Sequence, residues 1–145
     1  MLVCAPMRSA VNLSRIARAA GCCGVSRIIA TAGAKLDPKI ARDAAETVTL
    51  ETRRSLAPVL KRLRSEGYQI VGLEQTDDSQ SLHCFAFARR TALVIGSERE
   101  GLTDDLLAEL DAAVEIPVWG MPHSYNVATA TAMALYEYCR QFPSG

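Results

Sequence analysis

Long hydrophobic runs are absent from this sequence, and so are most of the patterned residues that announce a chemistry. No stretch approaches the roughly 20 apolar residues that a bilayer-spanning helix requires, so a membrane span is not expected. The first residues lack a charged segment followed by an apolar one, the layout of a secretory signal, which makes the cytoplasm the default location. The five cysteines (Cys4, Cys22, Cys23, Cys84 and Cys139) are odd in number and form no C-x-x-C pair. They exclude a disulfide framework, argue for a reducing compartment, and read as small buried hydrophobes. His83 and His123 stand apart from any Cys or Asp cluster, so no metal site is expected. No G-x-G-x-x-G follows the first strand, and neither G-x-x-x-x-G-K-[ST] nor G-x-S-x-G occurs. These absences exclude a plain dinucleotide-binding domain, a P-loop enzyme and a hydrolase with a nucleophile elbow. Sixteen Lys plus Arg balance sixteen Asp plus Glu, so the total charge offers no basic footprint for nucleic acid.

What is present points to an α/β protein. Apolar residues make up 49% of the 145 and aromatic residues only 6%, the Ala/Val/Leu/Ile-rich balance of helices packed on a sheet. That length suffices for one domain with its own core. Thirteen of the sixteen basic residues are Arg, whose planar fork suits phosphate, so a neutral total can still hide one basic face. Hydrophobic periodicity predicts strands at 2–5, 25–30, 48–50, 68–73, 91–95 and 113–116. It predicts helices at 13–20, after Asp37-Pro38, at 55–65, from a Thr103 cap through 110, and at 127–140. Residues 74–80 read as a polar loop. This alternation predicts a mainly parallel sheet with helices on both faces, in a single domain spanning 1–145 with no separate extension. Ligands of such sheets gather at the carboxyl ends of the strands. The loops after residues 5, 73, 95 and 116 are therefore the ones to examine.

Three segments at or beside those ends carry unusual residues. The first, residues 12–20 (NLSRIARAA), opens a helix with Asn12 at a cap position. Arg15 and Arg18 share one face near the helix start, where a cation is unfavourable unless an anion such as phosphate comes to the same place. A solvated Arg face would look the same. The second, residues 95–102 (IGSEREGL), ends a buried strand in Gly96 and adds Glu98 and Gly101. Glycines there permit positive φ and close backbone approach, although a solvated turn could carry the same charges. The third, residues 116–127 (IPVWGMPHSYNV), holds the only Trp and runs into a helix capped by Ser124 or Asn126. A stiff loop that ends in free helix N–H groups suits an adenosine or a carboxylate; the plain alternative is a cap beside a packed aromatic.

In order and spacing these segments resemble the three motifs of the SpoU (TrmH-like) family of SPOUT RNA methyltransferases. Asn12, Ile16, Arg18 and Ala20 match the first motif, N-x-G-x-I-x-R-x-A. Gly96, Glu98, Gly101 and Leu102 match the second, G-x-E-x-x-G-L. Ile116, Pro117, Gly120, Ser124, Asn126, Val127, Tyr136 and Glu137 match the third, I-P-M-x-G followed by S-x-N-V and a helix ending in Tyr-Glu. The resemblance implies a C-terminal trefoil knot and methyl transfer from S-adenosylmethionine to a ribose 2′-hydroxyl of tRNA or rRNA. S-adenosylhomocysteine would be the product, no metal would be needed, and the working form would be a homodimer with its active site near the interface. It assigns donor binding to Leu73, Gly96, Ile116, Ser124 and Val127. It assigns catalysis to Arg18, oriented by Asn12, with Glu98 and Asn126 fixing the surrounding loops. Guanidinium groups stay protonated at working pH, so Arg18 is expected to bind a neighbouring phosphate and favour the alkoxide rather than act as a free base. The chain departs from the motifs at Ser14 (for Gly), Val118 (for Met) and Ala128 (for Ser). A Ser at position 14 is tolerable if the backbone is helical there. The alternative reading is a catalytically degenerate RNA-binding or dimerisation protein of the same fold.

Overall fold

The computed structural model describes residues 1–143. Its centre is a strand whose five residues, TALVI, are all buried. Such a continuous run of β-branched and aliphatic side chains suits a strand covered on both faces. Seven parallel strands form one sheet: β1 (Leu2–Cys4), β2 (Arg27–Thr31), β3 (Thr49–Arg53), β4 (Gln69–Leu73), β5 (Gln80–Ser81), β6 (Thr91–Ile95) and β7 (Ala112–Glu115). They lie in the order β3-β2-β1-β6-β4-β7-β5. Six helices complete the described residues: α1 (Ala10–Cys22), α2 (Pro38–Ala41), α3 (Ala44–Thr47), α4 (Ala57–Ser65), α5 (Asp104–Leu107) and α6 (Val127–Gln141). None is long and apolar enough to cross a membrane.

Alternation along the strands divides the core in two. Leu2, Ile28, Leu93 and Val71 face α1, α2, α3 and α6. Val3, Ile29, Val94 and Ile70 face α4 and α5. Successive side chains of a strand point to opposite faces, so one apolar run supplies both layers. The register then fixes where the loops emerge. Cys4 pairs with Ile95, Ile95 with Leu73, and Leu73 with Val114. Four strands therefore end level, and the segments after β1, β4, β6 and β7 leave from one edge.

Strand 91–95 and the start of the last helix fall where periodicity puts them. So do the end of the strand at Leu73 and the end of the helix at Ser65, and several of the other boundaries differ for local reasons. The first helix begins at Ala10 because Ser9 caps it, its Oγ accepting from the Asn12 amide at 3.3 Å. Asn12 is therefore not the cap; it sits inside the first turn, buried, with its carboxamide free to bond elsewhere. The helix expected to reach 110 is one turn, Asp104–Leu107, after which the amides of Glu109 and Leu110 fold back to the carbonyls of Leu106 and Leu107. The weak strand expected at 48–50 is Thr49–Arg53, on which Glu51 bonds Arg27 across the sheet at 2.5 Å. Strand β5 lies in residues too polar to show any apolar alternation.

Ser14, where the resembling motif has Gly, is helical and fully buried. Its hydroxyl donates to the Ala10 carbonyl at 2.6 Å and accepts from the Asp37 amide at 2.8 Å, which ties α1 to the cap of α2. Ser14→Ala leaves that amide without its partner, which should cost about 1–3 kcal/mol. Urea denaturation at pH 7 measures the loss, and an unchanged midpoint would contradict the tie.

Candidate active site at the carboxyl edge of the sheet

The ends of β4, β6 and β7 surround a cavity of about 470 Å³, within the usual range for small-molecule sites. Leu73, Ile95, Val114, Ile116, Val118 and Val127 supply its apolar walls. Glu74, Glu98 and Glu115 bring three carboxylates to it, and Arg99 one guanidinium. No salt bridge pairs any of these four among the described residues. No cluster of His, Cys, Asp or Glu there could hold a metal ion.

One hydrogen-bond network joins the three motif segments. Glu98 Oε1 accepts from the Ser9 amide at 3.0 Å and from Asn12 Nδ2 at 3.1 Å, while Oε2 accepts from the Arg8 amide at 3.1 Å. Asn12 Oδ1 in turn accepts from Asn126 Nδ2 at 3.2 Å. Asn126 caps α6, its Oδ1 accepting from the Ala128 amide at 2.9 Å. A buried Asn in the first turn of α1 thus holds both a strand-end loop and the start of the last helix. Burial alone would raise the Glu98 pKa, but the donors from Arg8, its own backbone, Asn12 and Ser9 outweigh it. The net effect is a pKa below the ordinary carboxylate value.

Of the residues singled out in the sequence, Leu73, Gly96, Glu98, Ile116, Ser124, Asn126 and Val127 all line this cavity. Asn12 reaches it through Glu98 and Asn126. Its carboxamide is engaged there, with no bond to Arg18. Arg18 is exposed and is not among the lining residues; it stands six residues further along α1, about 9 Å at the helical rise. Gly96 has a more particular reason to be glycine than approach to a ligand. A Cβ there would lie 2.5 Å from the carbonyl carbon of Gly101, because the loop returns against the strand end in an antiparallel Ser97–Gly101 pair. Trp119 is 82% exposed, outside the cavity, and stacks on His83 at 6.2 Å. Glu74 and Glu115 were not anticipated, although each stands at or just past the end of a predicted strand, where such residues belong.

A parallel α/β sheet with one ligand-sized cavity at its carboxyl edge defines a class of strand-end nucleotide- or cofactor-binding proteins. Comparison with known proteins narrows the class. The model of the SpoU rRNA methylase family matches residues 1–136, and the chain belongs to that family. It is 31% identical over 133 residues to the tRNA (guanosine(18)-2'-O)-methyltransferase of Escherichia coli, covering 90% of this chain and 58% of that protein. Across eight curated relatives the chain spans between 6% and 58% of the relative's length. The crystal structure of the A. aeolicus TrmH/SpoU tRNA modifying enzyme superposes with a TM-score of 0.93 at 26% identity, over 99% of this chain and 75% of that one. A SpoU methyltransferase from Streptomyces viridochromogenes, solved in complex with the cofactor AdoMet, superposes at 0.86 and 26% identity, over 99% of this chain and 60% of that one.

The depressed Glu98 pKa has a pH signature. A carboxylate whose folded pKa lies below its unfolded value stabilises the protein above the ordinary value of 4.5, and that contribution disappears as pH falls through the lowered value. Glu98→Gln should therefore be less stable than the wild type at neutral pH, with a gap that narrows progressively below pH 4.5. Denaturation curves for both proteins between neutral and acid pH test this. A gap that does not depend on pH would mean that the carboxylate charge contributes nothing.

Proposed function

We propose that the chain transfers a methyl group from S-adenosylmethionine to a ribose 2′-hydroxyl of RNA, in tRNA or rRNA. The observation that carries this reading is the Asn12–Glu98–Asn126 network, which ties the first motif segment to the second and third, and those two line one cavity. The cavity fits the donor chemically. Its aliphatic walls suit an adenine, and the Glu98 and Glu115 carboxylates, which form no salt bridge among the described residues, suit a ligand that carries a sulfonium and an ammonium. Leu73, Gly96, Ile116, Ser124 and Val127 are the residues that would hold it. When bound, S-adenosylmethionine supplies an electrophilic methyl on a positively charged sulfur.

The protein's own work is positioning and charge. Apolar walls exclude water from the reacting groups. Asn126 and Glu98 keep the two loops from relaxing. Arg18, on an exposed helix face, is free to bind the phosphate next to the target ribose and to stabilise negative charge developing on the 2′-oxygen. Because the Arg18 side chain lies outside the cavity of its own chain, the reading includes the homodimer that the resemblance implies. The large apolar side chains left exposed on α1 and α6 support it: Val11, Met133 and Tyr136. The trefoil knot belongs to the same reading, supported by the crossing of the chain from β6 past β4 to β7 before α6 returns to pack on α1. So does a cytoplasmic location, supported by five free cysteines.

Incorporation of tritium from the labelled donor into bulk tRNA and rRNA tests the reading, with donor affinity measured separately by calorimetry. Arg18→Ala should lower methyl transfer by about 10²–10³-fold, the scale of removing one charge-stabilising group. Donor affinity should stay nearly unchanged. Undiminished turnover would remove Arg18 from the chemistry. Donor and RNA binding without any incorporation by the wild type would favour the non-catalytic reading.

A further inference from the structure

We infer that Glu74, which no motif includes, is a positioning residue: its carboxylate holds the loop after β6 in the shape that closes the donor cavity. The inference rests on the reading of that cavity as the donor site. Glu74 follows β4 directly, and its own amide donates to the Val114 carbonyl at 3.0 Å, which anchors its backbone between β4 and β7. From there the side chain crosses to the neighbouring loop. Oε2 accepts from the Leu102 amide at 2.9 Å, and Oε1 accepts from the Gln75 amide at 3.1 Å.

Two features of the loop fit this bridge. Gly101 adopts φ +64, the left-handed region that favours glycine. A Cβ at that position would also overlap the Glu74 carboxylate, so the glycine leaves the space that the carboxylate fills. Leu102 is 5% exposed, and the Glu74 carboxylate is the acceptor its amide has. Losing a charged acceptor at so buried an amide is costly. The loop is then fastened at both ends: Glu98 ties one side to the start of α1, and Glu74 ties the other to the end of β4. Between them, the Ser97 hydroxyl accepts from the Glu100 amide at 3.1 Å. The glycines and Glu98 are read from the motif, whereas the second fastener comes from another strand.

A direct role of the Glu74 charge on a cationic ligand predicts different behaviour from a positioning role, and two variants separate them. Glu74→Gln keeps an oxygen that can accept from Leu102 but loses the charge; Glu74→Ala loses both. Amide hydrogen exchange of the ligand-free protein is read at Leu102, alongside donor affinity by calorimetry and initial rates against donor concentration. Positioning predicts that Glu74→Ala speeds exchange at Leu102 about tenfold or more and raises the KM for donor by a similar factor, the scale of one charge-assisted bond. The kcat at saturating donor should change little. Glu74→Gln should restore most of both, and Gly101→Ala should reproduce the Glu74→Ala pattern by expelling the carboxylate. Unchanged exchange at Leu102 in Glu74→Ala, or a Gln variant as impaired as the Ala variant, would overturn the inference. If exchange responds as expected but the wild type binds no donor, the fastener stands and the donor reading fails.

Discussion

A single carboxylate receiving three N–H donors organises this end of the molecule. Glu98 projects from the loop after β6 onto the exposed amides at the start of α1 and onto Asn12 within its first turn. The first amides of a helix have no partner inside the helix, and its positive end favours an anion. While the Ser9 hydroxyl caps the Asn12 amide, Glu98 supplies the anion and takes the amides of Arg8 and Ser9 just before the helix. In doing so it converts a local capping problem into a long-range tie between residues 86 positions apart in sequence. Asn12 extends the tie to α6, where Asn126 performs the same capping service for the last helix. Without this chain of bonds the three loops would be separate surface turns.

The sheet supplies what the network needs, a common level from which the loops depart. Cys4, Ile95, Leu73 and Val114 are aligned by parallel pairing, and both faces of the strands are sealed by helices. The crossover from β6 past β4 to β7 sets the segments 96–101 and 116–126 on either side of the loop after β4. The cavity is therefore walled by apolar side chains from strand ends and rimmed by polar groups from loops. That division suits a ligand with an aromatic base and a charged tail.

Much of this was legible beforehand. The strand 91–95 is apolar at four of its five positions, with a β-branched Thr at the first, and could be little else. Glu98, Asn126 and the two glycines were readable through their match to the family motifs, since a solvated turn or a plain helix cap would carry the same residue types. Misplacing the cap of α1 at Asn12 rather than Ser9 had a clear cause: both residue types make good caps, and only the tertiary bond to Glu98 decides between them. Strand β5 was invisible because two polar residues at a sheet edge show no period. Glu74 was invisible because its partner is a backbone amide 28 residues away, an interaction that leaves no mark on residue type except at Gly101. The position of Arg18 outside the cavity also could not be read, since helical spacing gives a face but not what that face meets.

The most direct test of the account is amide chemical-shift mapping during titration with S-adenosylmethionine. The three-loop cavity predicts shifts concentrated at Leu73, Gly96, Glu98, Ile116 and Val127, with Asn12 following through its bond to Glu98. Residues at the opposite edge of the sheet, such as Ser26 and Tyr68, should stay fixed. Saturable shifts at that opposite edge, or no response from the loops at donor concentrations that bind, would contradict it.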